Sequence, residues 1–222
     1  MGNFIQNPSI YTKEALMVTQ RKIGILGGTF NPVHIGHLVM AEVARQECNL
    51  DKVIFIPTGD PPHKVGQYVE LSEHRLKMVE LAVSDNPFFE VDDLEIRRSG
   101  ITYTIDTLLE YRARAASDVQ LYFIIGGDTL MEITSWRRFE EVLKLCSFAV
   151  YQRPGYMRKE IEHQANYLRL HMGASIFFVE GPALDISSTE IRQRLKQRKT
   201  VKYLLPSQVD EYIHKHSLYM GE

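Results

Sequence analysis

The sequence predicts an α/β protein, a doubly wound parallel sheet with helices on both faces. Three observations carry this expectation. Six short apolar runs alternate along the 222 residues with segments of helical periodicity. Two of the runs end in glycine pairs, Gly27-Gly28 and Gly126-Gly127, at strand carboxyl ends where open α/β sheets bind their ligands. No repeat, low-complexity segment or linker interrupts the chain, so residues 22–222 are expected to form one domain behind a tail at 1–21.

In chain order, residues 22–26 read as a buried strand that breaks at Gly27-Gly28, turns at Asn31-Pro32 and continues as a helix over 37–45. Strand, glycine turn and helix start together make a natural anion site. Glycines let the backbone approach, and the first helical N–H groups are unpaired. His34 and His37 stand three apart at that helix start and can face one side. Residues 52–57 form a second strand ended by proline. The stiff loop behind it carries His63 and Lys64, a pairing that suits a ligand-binding loop and an exposed turn equally. Residues 73–84 read as an amphipathic helix with apolar positions 76, 79, 82 and 83, and 88–91 as a third strand. Residues 93–100 are expected to be a polar connection. A helix then opens within 102–109, with Thr104 as its candidate N-cap.

Residues 119–125 are the strongest strand, stopping at Gly126-Gly127 and followed by a helical start. Asp128 there suits a ribose contact or a plain helix cap. Trp136, the only tryptophan, lies between two helical segments beside Arg137, where packing and ligand stacking are both open to it. A fifth strand at 147–151 leads into a turn carrying Arg153. A helix over 157–171 and a sixth strand at 174–179 follow. Ser187 and Glu190 have capping-box spacing, so a helix is expected to start at Ser187, with Ser188 and Thr189 in its first turn and Arg192 one turn on. Hydroxyls, helix amides and an arginine suit a polyphosphate, although a capping box alone would explain the serine. A last helix, 206–216, turns Val209, Tyr212 and Ile213 to one side. Six alternating strands make the expected sheet Rossmann-like.

Composition narrows the function classes. Apolar residues are 44%, charged residues 24% and the net charge −2, an ordinary balance that does not suggest a nucleic-acid partner yet permits small phosphorylated ligands. No apolar run approaches the ~18 residues of a membrane span. The first twenty residues lack the basic start and apolar core of a secretory signal. Two cysteines, Cys48 and Cys146, fit reduced thiols in a cytoplasmic protein better than a disulfide scaffold. No histidine or cysteine spacing suggests a protein metal site.

Taken together, Gly27-Gly28-Thr29-Phe30-Asn31-Pro32-Val33-His34-Ile35-Gly36-His37 and Ile186-Ser187-Ser188-Thr189-Glu190-Ile191-Arg192 closely resemble the two end motifs of the nucleotidyltransferase superfamily. The chain is most similar within it to the bacterial nicotinate-nucleotide adenylyltransferases. The resemblance extends through Pro61-Pro62-His63-Lys64, Tyr103-Thr104-Ile105-Asp106-Thr107, Gly127-Asp128-Thr129-Leu130, Trp136 and Arg153-Pro154-Gly155. It implies adenylyl transfer from ATP to nicotinate mononucleotide, giving deamido-NAD and pyrophosphate, with Mg²⁺ accompanying the polyphosphate. His34, His37 and Arg192 would then be catalytic. Gly27, Gly28, Thr29 and Phe30 would line the phosphate turn, Ser188, Thr189 and Arg192 would hold the β- and γ-phosphates, and Asp128 would bind on the adenosine side. Trp136 would stack on the nicotinate ring, and amides near Thr104 and Arg137 would receive its carboxylate. His63, Lys64 and Arg153 would complete the mononucleotide subsite.

Alternatives within the superfamily are an enzyme that accepts nicotinamide mononucleotide, a pantetheine-phosphate adenylyltransferase, or a cytidylyltransferase. His34-Ile35-Gly36-His37 also spells the signature of class I aminoacyl-tRNA synthetases, but no KMSKS-like loop or basic face accompanies it. A non-catalytic nucleotide sensor would not need both histidines and Arg192. The sequence leaves self-association open.

Overall fold

Successive residues of a strand point to opposite faces of its sheet, and along the central strands of this chain both sets are apolar. Ile25, Phe123, Ile125, Phe148 and Val150 enter one core, and Leu26, Tyr122, Ile124, Ala149 and Tyr151 enter the other. A sheet with two apolar faces must be covered on both sides. The computed structural model describes residues 20–59, 68–116, 118–152 and 157–221 and has that form. The elements are β1 (Lys22–Gly28), α1 (Ile35–Glu47), β2 (Lys52–Pro57), α2 (Ser72–Val83), β3 (Phe89–Val91), α3 (Leu94–Arg97), α4 (Thr104–Arg114) and β4 (Gln120–Gly126). They continue with α5 (Gly127–Glu132), α6 (Phe139–Leu145), β5 (Ser147–Gln152), α7 (Arg158–Met172), β6 (Ile176–Glu180), α8 (Ser188–Lys196) and α9 (Ser207–Lys215).

All strand pairs are parallel, in the order β3-β2-β1-β4-β5-β6. Strand order therefore reverses between β1 and β4, the place where doubly wound sheets open a ligand crevice. Ala41, Met78, Ile191 and Val209 bring α1, α2, α8 and α9 onto one face. Leu94, Leu108, Leu130, Val142 and Ile161 bring α3 to α7 onto the other. Cys48 and Cys146 are buried free thiols at the ends of α1 and α6.

The structure departs from the sequence expectations at five places. The first helix starts two residues early, at Ile35 with His34 as N-cap, and runs on to Glu47. β1 continues through both glycines. The residue that takes the left-handed conformation in the turn is Phe30, with φ 47°, not a glycine. The stretch 93–100 is not a plain polar connection, since α3 forms there and buries Leu94 and Glu95. Thr104 is not the cap of α4 but its first residue; Tyr103 is the N-cap, in extended conformation. The buried stripe of α2 is Arg75, Met78, Val79, Ala82 and Val83, so it includes a cation that periodicity of apolar residues cannot predict. The expected tail lies outside the described residues up to position 19.

Phe148 is fully buried at the centre of the second core. Phe148→Ala is expected to lower stability by about 3–5 kcal/mol, measured as a reduced urea midpoint with an unchanged denaturant slope.

Candidate active site

The turns after β1 and β4 open on the same side of the sheet, at the point where strand order reverses. Between them lies a cavity of about 610 Å³, within the range of small-molecule sites. Gly27, Gly28, Thr29, His34 and His37 line one end, together with Ser188 from the start of α8. Thr104, Trp136 and Arg137 line the other end, and Asp128 sits between. The cavity thus brings together ten residues from four separate stretches of sequence. Phe30, Thr189 and Arg192 do not line it, and His63, Lys64 and Arg153 lie outside the described residues.

The two histidines form one unit. Their rings stack with centroids 3.7 Å apart at 28°. Phe30, buried beneath the turn, sets its ring edge-on against His37 at 5.0 Å, so it supports the histidine where a phosphate contact was expected. The backbone N–H of His34 donates to Nδ1 of His37 over 3.2 Å. An amide nitrogen can only donate, so that Nδ1 carries its lone pair and neutral His37 holds its proton on Nε2. His37 is thereby set as a hydrogen-bond donor.

Side chains from distant parts of the chain hold the turn that presents this pair. Arg192 Nη1 donates to the carbonyl of Asn31 at 2.7 Å, and Nη2 to Thr189 Oγ1 at 3.3 Å. Ser188 Oγ donates to the carbonyl of Pro32 at 2.8 Å. Asn31 itself is 1% exposed; its Oδ1 accepts from the Glu70 N–H and the Tyr219 hydroxyl, and its Nδ2 donates to the Tyr68 carbonyl. Half-buried Arg192 thereby ties α8 to the turn. Ser187 accepts from the Glu190 N–H at 3.1 Å, the cap its spacing predicted, which fixes the first turn of α8 beside the cavity.

At the far end, the first N–H groups of α4 have no carbonyl a turn earlier to bond. Arg137 lies over the ring of Tyr103 at 4.5 Å, and half-buried Trp136 meets Phe123 edge-on at 5.9 Å. Exposed Asp128 accepts from the Thr129 N–H through Oδ1. Glu95 also reaches the cavity. It is 8% exposed, its Oε1 accepts from Thr107 Oγ1 at 2.7 Å, and burial pushes its carboxyl above the usual carboxylate range against the pull of that hydrogen bond. Sequence reasoning missed Glu95, Thr102, Tyr151 and Leu184 on the cavity wall. Thr102 adjoins a helix start already singled out, whereas Glu95 sits in a stretch that reads as solvated and gives no signal. Among the described residues, no group of three or more His, Cys, Asp or Glu side chains is placed to hold a metal ion.

The chain resembles known proteins over most of its length. Residues 25–194 match the family described as cytidylyltransferase-like. A probable nicotinate-nucleotide adenylyltransferase of Thermoanaerobacter sp. (strain X514) is 48% identical over 203 residues, 91% of this chain and 96% of that protein. Another, from Desulfitobacterium hafniense (strain Y51), is 50% identical over 201 residues, 90% and 96% of the two chains. Among solved structures, Plasmodium falciparum nicotinic acid mononucleotide adenylyltransferase complexed with NaAD superposes with a TM-score of 0.71 at 22% identity, covering 91% of this chain and 98% of that one.

The hydrogen bond from His34 fixes a measurable property of His37. Long-range ¹H–¹⁵N correlation spectra at neutral pH are expected to show the Nε2–H tautomer for this ring; an Nδ1–H signature would remove the donor role.

Proposed function

The chain belongs to the nicotinate-nucleotide adenylyltransferase family within the cytidylyltransferase-like proteins, and from that premise we propose that it transfers the adenylyl group of ATP to nicotinate mononucleotide. The products are deamido-NAD and pyrophosphate. One observation carries the reading: a single cavity joins a histidine-bearing phosphate turn to a helix start flanked by Trp136.

A 5′-phosphate oxygen of the mononucleotide attacks the α-phosphorus of ATP, and the bond from that phosphorus to the bridging oxygen breaks as pyrophosphate leaves. The attacking oxygen is already anionic, so no side-chain nucleophile is required. Catalysis is positioning and charge stabilisation. His37 donates from Nε2 to the oxygens gaining charge, and His34 backs it through the ring stack. Gly27, Gly28 and Thr29 leave room for the triphosphate, and the first backbone amides of α8 receive its far end, while the Ser188 hydroxyl stays on the Pro32 carbonyl. Arg192 supports this arrangement by tying α8 to the turn.

ATP enters as its magnesium complex. Mg²⁺ would be bound chiefly by phosphate oxygens and water, and would offset the charge of the polyphosphate. Asp128 faces the adenosine, and Trp136 covers the nicotinate ring. The start of α4, positive by its helix dipole, receives the nicotinate carboxylate. An amide brings no anion to that position, which favours the acid over nicotinamide mononucleotide. Two buried free thiols support a cytoplasmic setting.

Three measurements test the reading. Pyrophosphate release with ATP should be far faster from nicotinate mononucleotide than from nicotinamide mononucleotide, and equal rates would identify a dual-specificity enzyme. His37→Ala should lower kcat by roughly two orders of magnitude or more, as loss of a transition-state donor does. Trp136→Ala should mainly raise KM for the mononucleotide; an effect confined to ATP would refute stacking.

A further inference from the structure

Arg75 is the largest fully buried side chain among the described residues, 1% exposed on the core face of α2. Its guanidinium donates to three backbone carbonyls: Nε to Glu70 at 2.9 Å, Nη1 to Thr29 at 2.8 Å and Nη2 to Gly59 at 2.9 Å. Thr29 belongs to the phosphate turn after β1, and Gly59 follows the end of β2. Gly59 in turn packs directly on α3, where a Cβ added at Gly59 would lie 2.4 Å from the carbonyl oxygen of Glu95. Glu95 accepts from Thr107 in the first turns of α4. An unbroken line of contacts thus runs from the phosphate turn through Arg75, Gly59 and Glu95 to the helix that bounds the other end of the cavity.

Building on the adenylyl-transfer reading, we propose that Arg75 is a positioning residue that sets the separation between the phosphate turn and the α4 end of the cavity. It thereby aligns the attacking phosphate with the α-phosphorus. Arginine suits the task because its planar fork fixes the direction of several donors at once, whereas lysine concentrates its donors on one flexible point. Arg75 is buried and does not line the cavity, so its loss is expected to act on alignment rather than on binding. A displacement of about 1 Å in reacting groups costs on the order of 100-fold in rate.

The test is steady-state kinetics of the wild type, Arg75→Lys and Gly59→Ala, with ATP and nicotinate mononucleotide each varied, below the melting temperature of every variant. Gly59→Ala leaves Arg75 in place but pushes its acceptor away from the Glu95 backbone. Both variants are expected to lose roughly 30- to 100-fold in kcat, with each KM within about threefold of wild type. Variants with a lowered Tm but wild-type kcat would overturn the proposal, since Arg75 would then serve stability alone. A raised KM for one substrate with kcat unchanged would overturn it as well. If circular dichroism shows Arg75→Lys unfolded, Gly59→Ala decides: lost kcat supports the proposal and retained kcat overturns it. An inactive wild type overturns the assigned reaction and this role together, while an active wild type with unaffected variants overturns only the positioning role.

Discussion

The site depends on one constraint, that the backbone between β1 and α1 holds a conformation it does not hold by itself. Phe30 sits at φ 47°, and the carbonyls of Thr29, Asn31 and Pro32 accept hydrogen bonds from side chains. Buried carbonyls must find donors elsewhere. Here they find Arg75, Arg192 and Ser188, the last two 161 and 156 residues away in sequence. Each such bond contributes ~0.5–1.5 kcal/mol net, and more where the donor is charged. The two end motifs of the chain are therefore a single mechanical unit. The serine and arginine of the second motif hold the first in shape, while the amides of the same helical turn remain beside the cavity.

A second consequence concerns charge. The chain carries a net charge of −2, and the described walls of the cavity include only one arginine and no lysine, yet the proposed ligands are polyanions. Helix starts supply the missing field. α1, α4, α5 and α8 all present their first residues to the cavity, through His37, Thr104, Asp128 and Ser188. The amino end of a helix carries the equivalent of roughly half a positive charge, and these ends are fixed by the fold. Such a field needs no reorganisation when charge moves from an attacking oxygen to a departing one, which is the property phosphoryl-group transfer requires. The doubly wound sheet is thus part of the chemistry, because it aims several helix starts at one crevice.

The legibility of the sequence follows from how each feature is encoded. Strands and helices with two or more apolar neighbours at the right period were readable, and all six strands overlap the apolar runs that predicted them. Ser187 was readable because a capping box is local. Arg75 and Glu95 were not. A lone arginine on an amphipathic helix looks the same whether it reaches water or folds inward, and its partners are backbone carbonyls, which leave no mark in a sequence. Glu95 lies among Asp92, Asp93, Arg97 and Arg98, and in the sequence nothing distinguishes it from those less buried neighbours. The inward packing of the Phe30 ring was not readable either, since position within a motif does not reveal which way a side chain turns.

That last case shows why the first motif tolerates so few readings. With φ positive, Phe30 folds its ring back under the end of β1, where a Cβ at Gly28 would stand 3.1 Å from it. The same ring supports the edge of His37, whose Nδ1 is occupied by the His34 amide. A Cβ at 28 would crowd Phe30, Phe30 packs against His37, and the proton on His37 is placed by the backbone of His34. The stretch from Gly27 to His37 is therefore a packing chain whose last link is a directed N–H. Its resemblance to a ligand-binding motif and its role in the core are the same fact, because the donor can be aimed only if every link behind it is in place.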